Sequence, residues 1–291
     1  MTSVRVTNVY ERMHAIKEVG TLPSVLAHIL SLVQDETSTA VELAAEISAD
    51  QALTLRVLRA VNSGYYGFRR RIAAIPEAVV ILGFAEVERL ALAISVINLF
   101  GHDAKSNRCL RLLWQHSLSC SVAASVLETS SQAPRAELSN AHVAGLLHDI
   151  GKVVIAQYFP EALPAIARVR QEEGVDNLDA EREVLDGATH PAIGSWLAEM
   201  WELPPSLTHA IALHHAPEQA TDHKALAYAA HAANAVTNWL TIRAAKPDTP
   251  CHVYAPAAEL LGLDDSMVDR IRTQLDNSRG MMGAIAAGAA A

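Results

Sequence analysis

The chain has 291 residues, 51% of them hydrophobic and 19% charged, a balance that fits a globular protein and excludes a disordered one. Its net charge of −9 argues against a nucleic-acid binder, which would need a basic face, and the run Arg69-Arg70-Arg71 reads as a solvated loop. Three cysteines without CxxC spacing, no charged-then-apolar leader and no apolar run near the ~18 residues of a membrane span lead us to expect a reduced, cytoplasmic protein with no membrane partner.

Apolar residues recur at helical spacing and almost nothing alternates with period two, so the expected fold class is all-α. Leu22-Pro23-Ser24 predicts a helix start, with Val25, Leu26, Ile29, Leu30 and Val33 on one face. Ser38 or Thr39 then caps a short helix carrying Val41, Leu43, Ala44 and Ile47. Another begins near Asp50, with Leu53, Leu55, Val57, Leu58 and Val61 inside. It stops at Asn62-Ser63-Gly64, where asparagine and glycine tolerate left-handed backbone. Asn62-Ser63 reads as a helix stop, because no base is placed to activate the serine. In the loop that follows, Tyr65, Tyr66 and Phe68 stand beside three arginines, and we read them as aromatics pinning the loop rather than as a base-stacking pocket.

Pro76 opens a helix through Val79, Val80, Ile81 and Leu82, broken at Gly83. The next helix, to Phe100, carries Glu86, Glu88 and Arg89 early and is then almost wholly apolar, which predicts a spine between two layers. The polar break Gly101–Asn107 marks the subdomain boundary. The expected organisation is an N-terminal helical subdomain over 1–105, a second helical subdomain over 106–279 and a loose Gly/Ala/Met-rich tail over 280–291. Helices in the second half are expected at about 108–129, 138–157, 160–173, 178–187, 190–201, 204–215, 222–241 and 264–277, with an irregular proline-rich connection at 242–256.

Thirteen histidines are many for this length, and their distribution is more telling than their number. His116 lies on the first helix of the second half and His148-Asp149 follow on the next. His190-Pro191 opens a helix, His214-His215 closes one, and His231 and Asn234 lie one turn apart on a last one. One or two imidazoles on each of several antiparallel helices is how a bundle converges ligands on an internal point. In His142–Lys152 (HVAGLLHDIGK), imidazole beside carboxylate suits a divalent metal, and Lys152, one turn beyond His148, suits a phosphate or a metal-bound water.

The order His116-Ser117, His148-Asp149-Ile150-Gly151-Lys152, His190-Pro191, His214-His215 resembles the HD superfamily of metal-dependent phosphohydrolases, particularly its HD-GYP-like branch. The first half is more specific. Leu22-Pro23, Asp50-Gln51-Ala52-Leu53, Arg56–Gly67 (RVLRAVNSGYYG) and Ile75–Gly83 (IPEAVVILG) resemble the HDOD domain, the HD-related output domain of bacterial signalling proteins, and the likeness runs over about residues 20–240.

That resemblance implies an N-terminal helical subdomain packed on an HD-like bundle, and a bacterial regulatory role without a demonstrated reaction. It places His116, His148, Asp149, His190, His214 and His215 at metal-ligand positions and makes Lys152 the lysine of the metal centre. Asn234 stands where the closing aspartate belongs, with His231 one turn earlier as its alternative. An amide oxygen brings no charge and binds transition metals more weakly than a carboxylate. With Asp149 the only carboxylate in the set, one divalent ion (iron, zinc or manganese) is expected rather than two. Ala216-Pro217-Glu218-Gln219-Ala220 stands where a GYP segment would follow, so cyclic di-GMP hydrolysis is not carried over. The expected function is that of a stand-alone regulatory protein whose partners are other signalling proteins, reached through the N-terminal subdomain. The alternative is a metal-dependent phosphohydrolase acting on a nucleotide or phosphodiester, with Lys152 as a catalytic residue that steadies the phosphate.

Overall fold

In the computed structural model, which describes residues 5–15, 23–35, 37–63, 66–100 and 108–288, every regular element among the described residues is helical. The fold class is therefore all-α. After a short α1 (Val9–His14) come α2 (Ser24–Gln34), α3 (Ala40–Ala49), α4 (Gln51–Val61), α5 (Ile75–Leu82) and α6 (Phe84–Leu99). Thr39 opens α3 through a reciprocal capping box. Its hydroxyl accepts from Glu42 N at 3.3 Å, and the Glu42 carboxylate accepts from Thr39 N at 2.8 Å. Asp50 caps α4 by accepting from Leu53 N at 3.0 Å.

Asn62 ends α4 as the sequence suggests. Its amide donates to Leu58 O at 2.7 Å and to Ile72 O at 2.8 Å, and its carbonyl accepts from Ile72 N at 2.8 Å, which closes the loop. Within that loop Tyr66 and Phe68 stack at 5.8 Å, and the Tyr66 hydroxyl donates to Glu86 of α6. Leu22, Gly64, Tyr65 and the expected boundary at 101–107 lie outside the described residues.

Not every apolar residue assigned inward points inward. Val41, Leu55 and Val80 are 77%, 59% and 84% exposed, and Ile81 is also exposed. On α4 the buried stripe runs through Leu53, Val57, Ala60 and Val61, which turns Leu55 about 200° away from Leu53. On α5 the buried positions are Ile75, Ala78 and Val79, and on α3 Leu43, Ala44 and Ile47. Helix α6 behaves as the spine. Its middle is buried from Val87 to Ile97 almost without break, and it packs on α2, α3, α4 and α5 on one side and on α8 and α16 on the other.

The second half comprises α7 (Arg108–Ser130), α8 (Ala141–Leu147), α9 (Ile150–Tyr158), α10 (Ala162–Glu173), α11 (Asn177–Val184), α12 (His190–Met200), α13 (Pro205–Leu213), α14 (Lys224–Arg243), α15 (Ala255–Leu261) and α16 (Asp265–Gly288). A buried bridge ties it to the spine: His142 of α8 lies between Glu88 of α6 at 3.2 Å and Glu128 of α7 at 3.3 Å.

Four expectations are corrected here. The helix expected over 138–157 is two helices, broken at His148-Asp149. Helix α15 begins inside the stretch read as irregular, because Pro256 sits in its first turn, where proline favours a helix rather than breaking it. The tail expected from residue 280 is instead the continuation of α16 to Gly288, with Met281, Met282 and Ile285 buried; it lacks charge because it lies on the core. Finally, residues 5–15, counted with the first subdomain, pack on the second. Val6 N donates to Val184 O at 2.8 Å, Arg12 pairs with Glu161 at 3.1 Å, and His14 meets Trp196 at 4.9 Å between ring centroids. No helix among the described residues is long and apolar enough to cross a membrane.

Candidate metal centre

Two glycines explain how imidazoles from separate helices reach one point. A Cβ on Gly145 would stand 2.5 Å from Cys120 O, so only glycine lets α8 lie this close to α7. A Cβ on Gly151 would stand 2.0 Å from His190 O and 2.9 Å from Gly194 N, so the glycine of the His-Asp-Ile-Gly-Lys run is what seats α9 against the start of α12. Between these contacts, at the α8–α9 break, His148 and Asp149 are turned inward.

Asp149, 1% exposed, is the hub. Its Oδ2 lies 2.7 Å from Lys152 Nζ, 3.4 Å from His148 Nε2 and 3.6 Å from His116 Nε2. Its Oδ1 lies 3.3 Å from His190 Nε2 and 3.5 Å from His214 Nε2, which are themselves 3.4 Å apart. His148, His190 and His214 are fully buried, whereas His215 closes the solvent side, exposed, with its ring 4.3 Å from that of His214.

Three rings are oriented in the same manner. His148 Nδ1 is 2.8 Å from Gly145 O, His214 Nδ1 is 2.8 Å from Ile211 O, and His190 Nδ1 is 2.8 Å from the Glu181 carboxylate. Carbonyl and carboxylate oxygens only accept, so each Nδ1 carries hydrogen, and in the neutral ring each Nε2 turns a lone pair toward Asp149. Lone pairs gathered around a carboxylate call for a cation. Consistently, His148 Nε2 and Asp149 Oδ1 are buried with no hydrogen-bond partner among the described residues. An orphaned buried polar atom costs about 1–3 kcal/mol, which a cation at this point would remove.

Charge states agree. Burial, reinforced by the neighbouring His148, pulls the His116 pKa down to about 4, and partial desolvation of the His215 ring against the cluster, with His190 nearby, takes it to about 3. Burial holds His214 well below the usual imidazole range. For Asp149 burial acts upward, but the adjacent His148 and Lys152 outweigh it and hold the carboxyl well below its usual value. An anionic Asp149 with His116, His214 and His215 held toward their neutral forms offers donors that a divalent cation takes. Asp149, His190, His214 and His215 could hold one, and so could His116, Cys120 and His148.

All seven residues expected as ligands meet in this region, but Asn234 and His116 engage each other. Asn234 Oδ1 accepts from Asn238 Nδ2 at 2.7 Å and lies 3.1 Å from His116 Nε2, so the amide oxygen is spent within the protein. His231 does not complete the site. Its Nδ1 meets His214 O at 2.8 Å and its Nε2 accepts from Tyr254 N at 3.0 Å, so it holds the end of α13 in place. Lys152 is partly exposed and bonded to Asp149.

Two residues escaped the sequence reading. Glu181, buried on α11, accepts from both His190 N at 2.8 Å and the His190 ring, and so fixes the start of α12. Its signal was present: Glu181 stands three residues from both Leu178 and Val184, on the apolar stripe of its helix, where an unpaired carboxylate has no place. Cys120 lies one turn after His116, with Sγ 3.5 Å from His116 Nε2.

Residues 19–217 match the family described as HDOD domain. An uncharacterized protein of Treponema pallidum (strain Nichols) is 28% identical over 239 residues, which are 81% of this chain; the match spans 44% of that relative's length. Among solved structures, an HDOD domain protein of unknown function from Geobacter sulfurreducens superposes with a TM-score of 0.75 at 24% identity, covering 97% of each chain. A candidate phosphohydrolase from Shewanella amazonensis SB2B gives 0.70 at 23% identity, covering 95% of this chain and 97% of that one. A candidate signal transduction protein from Marinobacter aquaeolei VT8 gives 0.76 at 23% identity, covering 98% of this chain and 63% of that one. These structural likenesses establish the shared fold.

Proposed function

The chain belongs to the HDOD domain family, and from that premise we propose that it is a regulatory module whose HD-type centre holds a single divalent cation and does not turn over substrate. The observation that carries this reading is the shortage of negative charge at the centre. Asp149 is its one carboxylate, and Lys152 already occupies one of the two oxygens. Asn234, in the place of a second carboxylate, is neutral and engaged by Asn238 and His116. Asp149, His148, His190 and His214 would hold the ion, with His215 at the rim. A centre whose donors all come from the protein would have the character of a structural site.

The cation, iron, zinc or manganese, would supply Lewis acidity. The residues around it are arranged to hold and orient it: Gly145, Glu181 and Ile211 fix the imidazoles, and Lys152 balances Asp149. Output would pass to other signalling proteins through the N-terminal half, where Val41, Leu55, Val80 and Ile81 are exposed. One observation favours phosphodiester or nucleotide hydrolysis as a second reading. Lys152 and His215 reach the solvent edge, where an anion would approach the centre.

Elemental mass spectrometry of untagged protein, with phosphodiesterase assays on the wild type and Asn234→Asp, separates these readings. The module predicts close to one equivalent of metal, lost in His148→Ala. It also predicts tighter metal in Asn234→Asp and no turnover in either protein. Turnover that rises in Asn234→Asp would establish the hydrolase instead. Folded protein that carries no metal and takes up none on titration would overturn both.

A further inference from the structure

We infer that Cys120 is a ligand of this centre, forming with His116 and His148 a sulfur-bearing half-site that selects zinc or iron over manganese and magnesium. The inference rests on the metal-holding reading above and deepens it by naming the class of cation.

His116 and Cys120 are four residues apart on α7 and so share one face. The approach allowed by Gly145 brings His148 alongside them, and one ligand atom from each of the three lies within 4.8 Å of the others. Cys120 is 0% exposed. Its sulfur lies beside the Thr237 hydroxyl, 3.9 Å from Ala233 O, and 3.5 Å and 3.9 Å from His116 Nε2 and Nδ1. An independent observation points to an occupant: His148 Nε2, also fully buried, is aimed into the same space with no hydrogen-bond partner among the described residues.

Charge supplies the reason for sulfur. Lys152 offsets Asp149, so a divalent cation would otherwise sit in the protein interior with no unpaired anionic ligand, and Asn234 adds nothing. A thiolate provides one negative charge where the amide provides none. As the metal–sulfur bond forms, the S–H bond breaks and its proton passes to solvent. A set of one sulfur with imidazole nitrogens is the preference of zinc, ferrous iron and cobalt, whereas manganese and magnesium prefer oxygen. Asp149, His190, His214 and His215 are a second group of donors beside it.

The test uses the full chain, stripped by chelation and loaded with cobalt(II) or zinc, as wild type, Cys120→Ser and Cys120→Ala. The cobalt protein should show a near-ultraviolet thiolate-to-cobalt charge-transfer band together with visible d–d bands. Both substitutions should abolish the first and keep the second. X-ray absorption of the zinc-loaded wild type should place a sulfur at about 2.3 Å. The preference for zinc over manganese should fall at least about tenfold in the variants. Cobalt d–d bands with no charge-transfer band, or zinc with only nitrogen and oxygen neighbours, overturns the sulfur ligand while leaving the metal-holding reading intact. Absence of d–d bands and of zinc uptake overturns both. The wild-type spectra decide the matter even if a variant fails to fold.

Discussion

Replacing His142 by glutamine should remove a pH dependence from the stability of this protein. The imidazole sits between two carboxylates, Glu88 Oε1 at 3.2 Å and Glu128 Oε2 at 3.3 Å, and can serve both only by donating from both nitrogens. Burial opposes the charge, but the bonds and charges of Glu128 and Glu88 together outweigh it and raise the pKa from 6.5 to about 9. At about 1.4 kcal/mol per tenfold change in proton affinity, that rise is worth about 3 kcal/mol of folding stability. Because the folded state binds this proton more tightly than the unfolded one, the contribution is complete below about pH 6.5. It declines as pH rises toward 9 and is lost above. Urea unfolding followed by circular dichroism at about pH 6, 7.5 and 9.5 measures it. Groups remote from His142 contribute alike in both proteins, so the quantity of interest is how the gap between wild type and His142→Gln changes with pH. That gap should shrink by about 3 kcal/mol from the lowest pH to the highest. A gap that does not change with pH would refute the doubly bonded imidazolium.

Gly151→Ala should cost about 3 kcal/mol and weaken metal binding, because its Cβ would meet backbone rather than a movable side chain, with His190 O at 2.0 Å; thermal melts and metal titration check both. Glu181→Ala should lower metal affinity about 10- to 100-fold by releasing the His190 ring and orphaning its backbone N–H. Glu181→Gln should recover most of that loss, since an amide oxygen still accepts, and calorimetric titration of the two variants would show whether it does.

What the sequence conveyed depended on whether a residue's role follows from its own helix. Thr39, Asp50 and Asn62 act within a few residues of themselves, so their capping and stop roles were legible. The gathering of these side chains around Asp149 was legible because the His-Asp-Ile-Gly-Lys run and the paired histidines carry a family pattern. Hidden roles depend on partners remote in the chain. Glu181 serves a histidine across a turn, and His231 serves the carbonyl of His214 rather than the cluster around Asp149. Met281 reads as tail by composition, yet its sulfur lies 3.2 Å from the Tyr66 hydroxyl, 215 residues away. The exposed faces of α3 and α5 show the converse: Val41 and Val80 carry an inward type at outward positions, which periodicity over so short a helix cannot separate.

The crossing of the two ends of the described chain bears on how the molecule comes apart. Residues 5–14 are fastened to α10, α11 and α12 of the second half, while α16 returns to lie on α4 and α6 of the first. Each half is thus clasped by a segment that the linear order assigns to the other. Neither can be peeled away without stripping a buried strap, Val6, Val9 and Met13 at one end or Met281, Met282 and Ile285 at the other. Uncovering such side chains costs about 1.5–3 kcal/mol apiece. The two halves should therefore melt as one cooperative unit, and a fragment cut at residue 279 would forfeit part of the seam that joins them.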